Sequence, residues 1–178
     1  MNGLRLVAAA PTPALRQALF GGDQNLDEGG RNAAAALAPR FDRVPAWVAG
    51  PARAARQTAA ALGGLAATAD ALADVAYGEW EGRSLADIDP GDLHKWLSDP
   101  GYAPPGGQSL TEVRDRAGAW LDAQAGQTLV AVAHATVIRA ALAHALRVPA
   151  DGIWSIEVAP LAIVRLTHRA GRWHLSIS

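Results

Sequence analysis

The chain has 178 residues, half of them hydrophobic, with 16 Lys and Arg against 17 Asp and Glu and a formal net charge of −1. That balance fits one globular domain with a sizeable core and argues against nucleic acid or an anionic membrane as partner. With no cysteine in the chain, disulfides, thiolate nucleophiles and cysteine-based metal sites are excluded, which suits a reducing, cytoplasmic location.

Residues 4–9 (LRLVAA) read as a buried first strand. The apolar run continuing to Ala10 ends in small residues like a signal cleavage site, but it is too short for a signal-peptide core. No stretch approaches the roughly 20 apolar residues of a membrane span. Richness in Ala, Gly and Arg points to a bacterial genome of high GC content. Residues 10–25, rich in Pro, Gly and Asn, read as a loop, and residues 26–40 as helical in their alanine-rich centre.

Residues 46–49 form a short apolar strand by this reading, and residues 51–62 a helix with Pro51 in its first turn, where the missing N–H is tolerated. Residues 72–82 are irregular and residues 92–97 a short helix. Ser109-Leu110-Thr111-Glu112 is a capping box, and Leu110, Val113, Ala117, Trp120 and Leu121 follow at helical spacing. The continuous apolar run at 128–133 predicts a central parallel strand buried on both faces. Residues 134–146 read as a helix, and residues 161–168 and 172–178 as a terminal hairpin turning at Ala170-Gly171.

Alternation of strands and helices implies an α/β fold, a three-layer α/β/α sandwich around a mostly parallel sheet, with one domain over residues 1–178. Sites in such sheets form at the carboxyl ends of strands, so the loops after Ala9 and Ala133 are expected side by side at one rim.

Ordered motifs then carry a resemblance. GPARAARQTA at 50–59 matches a Ser-Pro-Leu-x-Arg-Ala-x-Gln-Thr-Ala helix start. Residues 71–84, ALADVAYGEWEGRS, match a Leu-x-Glu-x-x-x-Gly-x-Trp-Glu-Gly segment, and PPGGQS at 104–109 matches Pro-Pro-Gly-Gly-Glu-Ser. VAVAHATVIRAALAHAL at 130–146 matches a strand-His-Gly/Ala-x-x-Ile-Arg-helix unit. In this order the chain resembles the histidine phosphatase (phosphoglycerate-mutase-like) superfamily, which implies a phosphoglycerate-mutase-like sandwich.

The resemblance also implies a chemistry and its loss. In the family two arginines, two histidines and a helix N-terminus clamp a phosphoryl group, one histidine attacks phosphorus, and a carboxylate protonates the leaving oxygen. By the resemblance, the Arg-His-Gly ending the first strand is replaced here by Ala8, Ala9 and Ala10. The second arginine maps to Ala54, the carboxylate to Asp74, the second histidine to His134, and the closing threonine to Thr12. Pro11 and Gln108 stand where glutamates are usual. Ala8, Ala9, Ala10, Thr12 and Ala54 are therefore expected to line a pocket that is small, apolar and weakly charged, or one that has collapsed. A register slip recruiting Arg53 or Arg56 is disfavoured, because neighbours one and two positions away point about 100° and 200° round a helix. His94, His144, His168 and His174 fall away from the expected rim.

Asp74 and His134 are read either as a surviving acid/base pair or as a solvated aspartate and a histidine satisfied by backbone. The N–H groups of Ala135 and Thr136 open a helix and are candidates to hold an anion. Trp80 and Trp96 read as packing residues, and Arg83 and Arg139 as surface or supporting residues. No metal or other cofactor is expected, since no HExxH-type pattern occurs. The expected function is a superfamily member without phosphatase or mutase activity, a binding or regulatory module for a small neutral or weakly anionic ligand or a protein partner, and compatible with a homodimer. Two alternatives stand beside it: an enzyme repurposed to use His134 and Asp74 on a non-phosphorylated substrate, and a weak residual phosphatase.

Overall fold

Strands β1 (Leu4–Ala8) and β4 (Leu129–Ala133) run parallel in register, from Leu4 opposite Leu129 to Ala8 opposite Ala133, in a computed structural model that describes residues 3–176. β4 is buried at every position because it is paired on both sides and covered on both faces, which is why its sequence is apolar throughout. The six-stranded sheet has the order β3-β2-β4-β1-β5-β6, with β2 at Trp47–Ala49, β3 at Ala67–Thr68, β5 at Ile163–Arg169 and β6 at Arg172–Ser176. Strands β3, β2, β4 and β1 are parallel, and the hairpin β5–β6 joins antiparallel along β1.

Side-chain alternation sorts the sheet residues between two layers. Leu4, Leu6 and Ala8 face the same core as α5 (Leu110–Ala123) and α6 (Ala135–Ala145), whereas Val7, Val130 and Val132 face α3 (Arg53–Ala61). This is the three-layer α/β/α arrangement. The capping box forms as the sequence predicts: Glu112 N–H donates to the Ser109 hydroxyl at 3.2 Å, and Ser109 N–H donates to the Glu112 carboxylate at 2.7 Å. Among the described residues no helix is long and apolar enough to cross a membrane.

Several boundaries differ from the sequence reading. The expected loop at 10–25 contains a one-turn helix, α1 (Pro13–Arg16), whose cap Thr12 accepts from Leu15 N–H at 3.2 Å. The helix α2 (Glu28–Leu37) ends in a 3₁₀ turn at Ala38–Phe41. Pro51 lies before α3 rather than in its first turn, because the chain stays extended through the cap Ala52 and Gly50 N–H prolongs the ladder to Val132 O at 2.9 Å. The helix α4 spans Pro90–Ser98, starting earlier than read because Asp89 caps it through Gly91 and Asp92. At the hairpin, Ala170 and Gly171 both have positive φ (49° and 72°), as a two-residue type I′ turn requires. The last two positions of the expected second hairpin strand, 177 and 178, lie outside the described residues.

The rim at the ends of β1 and β4 is fastened by two side chains of α3. Ala10 N–H donates to the Thr58 hydroxyl at 2.9 Å, and that hydroxyl donates to Ala54 O at 2.7 Å. Gln57 accepts from Leu26 N–H and donates to the Asn25 side chain, each at 2.8 Å. Both ends of the 10–26 segment are thus tied to one helix. Thr58 is fully buried, so Thr58→Val leaves the Ala10 N–H without a partner and should destabilise the fold by about 1–3 kcal/mol. Thr58→Ser keeps both bonds and should lose markedly less; equal losses in urea denaturation would show that the hydroxyl is not what holds the rim.

Candidate functional site

A hollow of about 460 Å³ opens at the carboxyl ends of β1 and β4. Its base is the paired chain ends: Ala9 N–H donates to Ala133 O at 2.9 Å, so the residues following each strand emerge side by side. Ala9, Ala10 and Thr12 come from the first strand's exit, and His134, Ala135 and Thr136 from the second. Asp74 and Tyr77 enter from the irregular segment after α3, and residues 157–160 complete the wall.

His134 is the cap residue of α6, with extended backbone and no side-chain capping bond. Its Nδ1 is buried without a hydrogen-bond partner among the described residues, and lies 3.7 Å from Asp74 Oδ2. That separation is beyond direct hydrogen bonding. Asp74 accepts from Val75 N–H at 2.9 Å through its other oxygen. Behind it, Arg116 of α5 donates to Ala71 O at 2.8 Å and Ala73 O at 2.9 Å, and to the Gln108 side chain at 3.3 Å. Arg116 thereby fixes the backbone that presents Asp74. Its guanidinium is held below its ordinary pKa by burial, with the Asp74 charge opposing that shift.

Tyr77 is buried at the hollow's edge, and its phenol is pushed well above its ordinary pKa, first by burial and then by the Asp74 charge. It therefore stays protonated and able to donate. The neighbouring Thr136 side chain opposes the shift. Phe20 packs its ring 5.2 Å from both Tyr77 and Trp80, and 5.5 Å from Trp96, giving the site an aromatic floor. Trp80 and Trp96 are packing residues within it.

Of the five positions expected to line the pocket, the structure brings Ala9, Ala10 and Thr12 to it but not Ala8 or Ala54. Ala8 shares the sheet face of Leu4 and Leu6 and is wholly buried beneath α5 and α6. Ala54 is 2% exposed and packs with Ala9, Ala10, Leu26 and Ala34. The space is therefore filled at Ala54 and open above Ala9. Ala135 and Thr136, at the start of α6, both line it. Arg53 lies 3.5 Å from Asp23 and borders a separate surface groove with Arg56, so neither reaches the hollow. His144 instead meets Asp122 at 2.8 Å, and the His168 ring lies 5.0 Å from that of Trp173.

Arg139 and Tyr77 are among the lining residues that escape the sequence reading. Arg139, which by sequence reads as a surface or supporting residue, borders the hollow, donating through Nε to Ile156 O at 2.9 Å. Its spacing of three from Thr136 on one helix is the signal that could have found it. Tyr77 sits three residues after Asp74, but an aromatic in an irregular segment carries no periodicity. Among the described residues no group of three or more His, Asp or Glu side chains is arranged to hold a metal.

The model of the histidine phosphatase superfamily (branch 1) matches residues 12–177, starting shortly after the three alanines. A bifunctional protein of Mycobacterium tuberculosis is 36% identical over 85 residues, which cover 43% of this chain and only 23% of that protein's length. A mycobacterial glucosyl-3-phosphoglycerate phosphatase, solved with VO3, superimposes with a TM-score of 0.87 at 26% identity over 99% of this chain and 98% of its own. A mycobacterial hydrolase gives 0.86 at 27% identity over 99% and 97%. In fold alone, the phosphoserine phosphatase of Entamoeba histolytica gives 0.89 at 21% identity over 99% and 96%. With one model spanning nearly its whole length, the chain belongs to the histidine phosphatase superfamily.

Proposed function

We propose that this protein lacks phosphatase and mutase activity and works as a binding or regulatory module through the hollow at the ends of β1 and β4. The observation that carries the reading is the composition of that hollow: methyl groups of Ala9 and Ala10 at the exit of β1, and His134 as the only imidazole among its described lining residues. Covalent phosphoryl transfer needs a nucleophile at the strand tip, and removing a nucleophile from a coupled constellation removes nearly all of its catalytic advantage. Each missing arginine would have given charge-assisted hydrogen bonds worth about 1.5–3 kcal/mol, so two together represent roughly two to four decades of phosphate affinity. A small neutral or weakly anionic ligand suits the remaining lining better than a phosphate ester. A protein partner would act through the same rim.

A second reading is favoured by one distance. His134 Nδ1 and Asp74 Oδ2 lie 3.7 Å apart, both about three-quarters buried. In a closed complex that pair could move a proton on a non-phosphorylated substrate, since catalytic hydrogen bonds often tighten only when substrate is bound. Product formation that disappears in Asp74→Asn would favour this second reading over the first.

Two measurements test the principal reading. The purified protein should release no nitrophenol from p-nitrophenyl phosphate beyond the rate of its His134→Ala variant; turnover present in the parent and absent in the variant would refute it. Vanadate, which the mycobacterial phosphatase carries in its solved complex, should leave the melting temperature unchanged at millimolar concentration. A ligand present at 100 times its dissociation constant stabilises a fold by about 2.7 kcal/mol, so a clear upward shift with vanadate would place a working oxyanion clamp in the hollow.

A further inference from the structure

Among the described residues lining the hollow, Arg139 is the only guanidinium. Its Nε is engaged with Ile156 O at 2.9 Å, and its Cζ lies 5.8 Å from the centroid of the Trp154 ring. The backbone bond and the aromatic face orient the guanidinium. Among the described residues, its hydrogen bond is made through Nε and not through the two terminal nitrogens. A guanidinium held in this way offers the paired donors that a carboxylate meets with its two oxygens, and its fixed position lowers the entropy lost on binding.

The neighbouring charges discriminate between anions. Asp74 and Glu157 also line the hollow. A phosphate monoester at neutral pH brings a second negative charge beside these carboxylates, with no second guanidinium to match it. A monocarboxylate brings a single charge that Arg139 alone can meet. Ala9, Ala10 and Phe20 give the lining apolar surface beside the polar Thr12, His134 and Thr136, and the protonated Tyr77 adds one neutral donor. A few convergent polar groups in an otherwise apolar cavity are the usual make-up of a small-molecule site.

We infer that the hollow takes a small monocarboxylate with an apolar body, its carboxylate on the terminal nitrogens of Arg139 and its body against Ala9, Ala10 and Phe20. This rests on the binding-module reading and names the ligand class of that same site. The test is calorimetric titration of the intact chain at neutral pH with three probes: hydrocinnamate, its neutral counterpart hydrocinnamyl alcohol, and phenyl phosphate. Hydrocinnamate should bind at least ~10-fold more tightly than either of the others, and Arg139→Gln should weaken it by ~10- to 100-fold, the range expected for one charge-assisted pair. Arg139→Lys, which keeps the charge but not the planar fork, should fall between. Binding of hydrocinnamate should also change the tryptophan emission, since the guanidinium it meets lies over Trp154.

Equal or tighter binding of the alcohol or the phosphate, unchanged affinity in a folded Arg139→Gln, or no hydrocinnamate binding at millimolar concentration would each overturn the inference. Because Arg139 also supports the backbone at Ile156, the comparison of the three probes on the parent protein decides the matter even where a variant fails to fold. Release of inorganic phosphate from phenyl phosphate would instead overturn the binding-module reading, a failure distinct from a wrong ligand preference.

Discussion

The level ending of β1 and β4 is the constraint on which the site depends. Parallel strands in register, with Ala8 opposite Ala133, deliver the next residues of each strand to the same rim. Parallel pairing buries both strands, so their sequences must be largely apolar, and polar chemistry is confined to the loops and helix starts beyond their carboxyl ends. His134 begins a helix directly after β4 and Ala9 continues directly from β1. No rearrangement of the outer helices changes that adjacency without breaking the central ladder.

The hollow stays open beside a cluster that has closed. Thr58 and Gln57 tie both ends of the 10–26 segment to α3, and Leu15, Leu19 and Phe20 between those ties line the hollow. On the α3 side, Ala54, Ala34 and Leu26 fill the interior up to Ala10. On the α6 side, Tyr77, Thr136 and Arg139 border unfilled space. The polar lining is thus drawn from both halves of the chain, Thr12, Asp74 and Tyr77 with His134, Thr136, Arg139 and Glu157, whereas Ala9 and Ala10 make the exit of β1 apolar.

Much of the fold is legible in the sequence where a local pattern matches a tertiary need. The apolar run of β4 and the Ser109–Glu112 box are such cases, since burial on two faces and an orphan helix end each demand a recognisable residue pattern. β3 is not legible: it is two exposed residues, Ala67 and Thr68, made a strand only by pairing with β2. The single turn of α1 has a start signal, Thr12 before Pro13, but it is too short to show periodicity and leans on Gln24, whose side chain accepts from Ala14 N–H. At the site, the ordered motifs pick out His134, Asp74 and Arg139, but nothing in the motif says that the arginine borders the cavity. The burial of Ala8 is in principle readable from period two, as it shares the parity of Leu4 and Leu6. Ala54 requires knowledge of how α2 meets α3.

The small-residue cluster around Ala54 has a consequence for substitution. Interiors packed to crystal-like density do not admit a long side chain without displacing several others. A mutation that put a guanidinium at this position would meet Ala9, Ala10, Leu26 and Ala34 already in contact, and would need those neighbours to change as well. The packing therefore makes position 54 resistant to any single enlarging substitution.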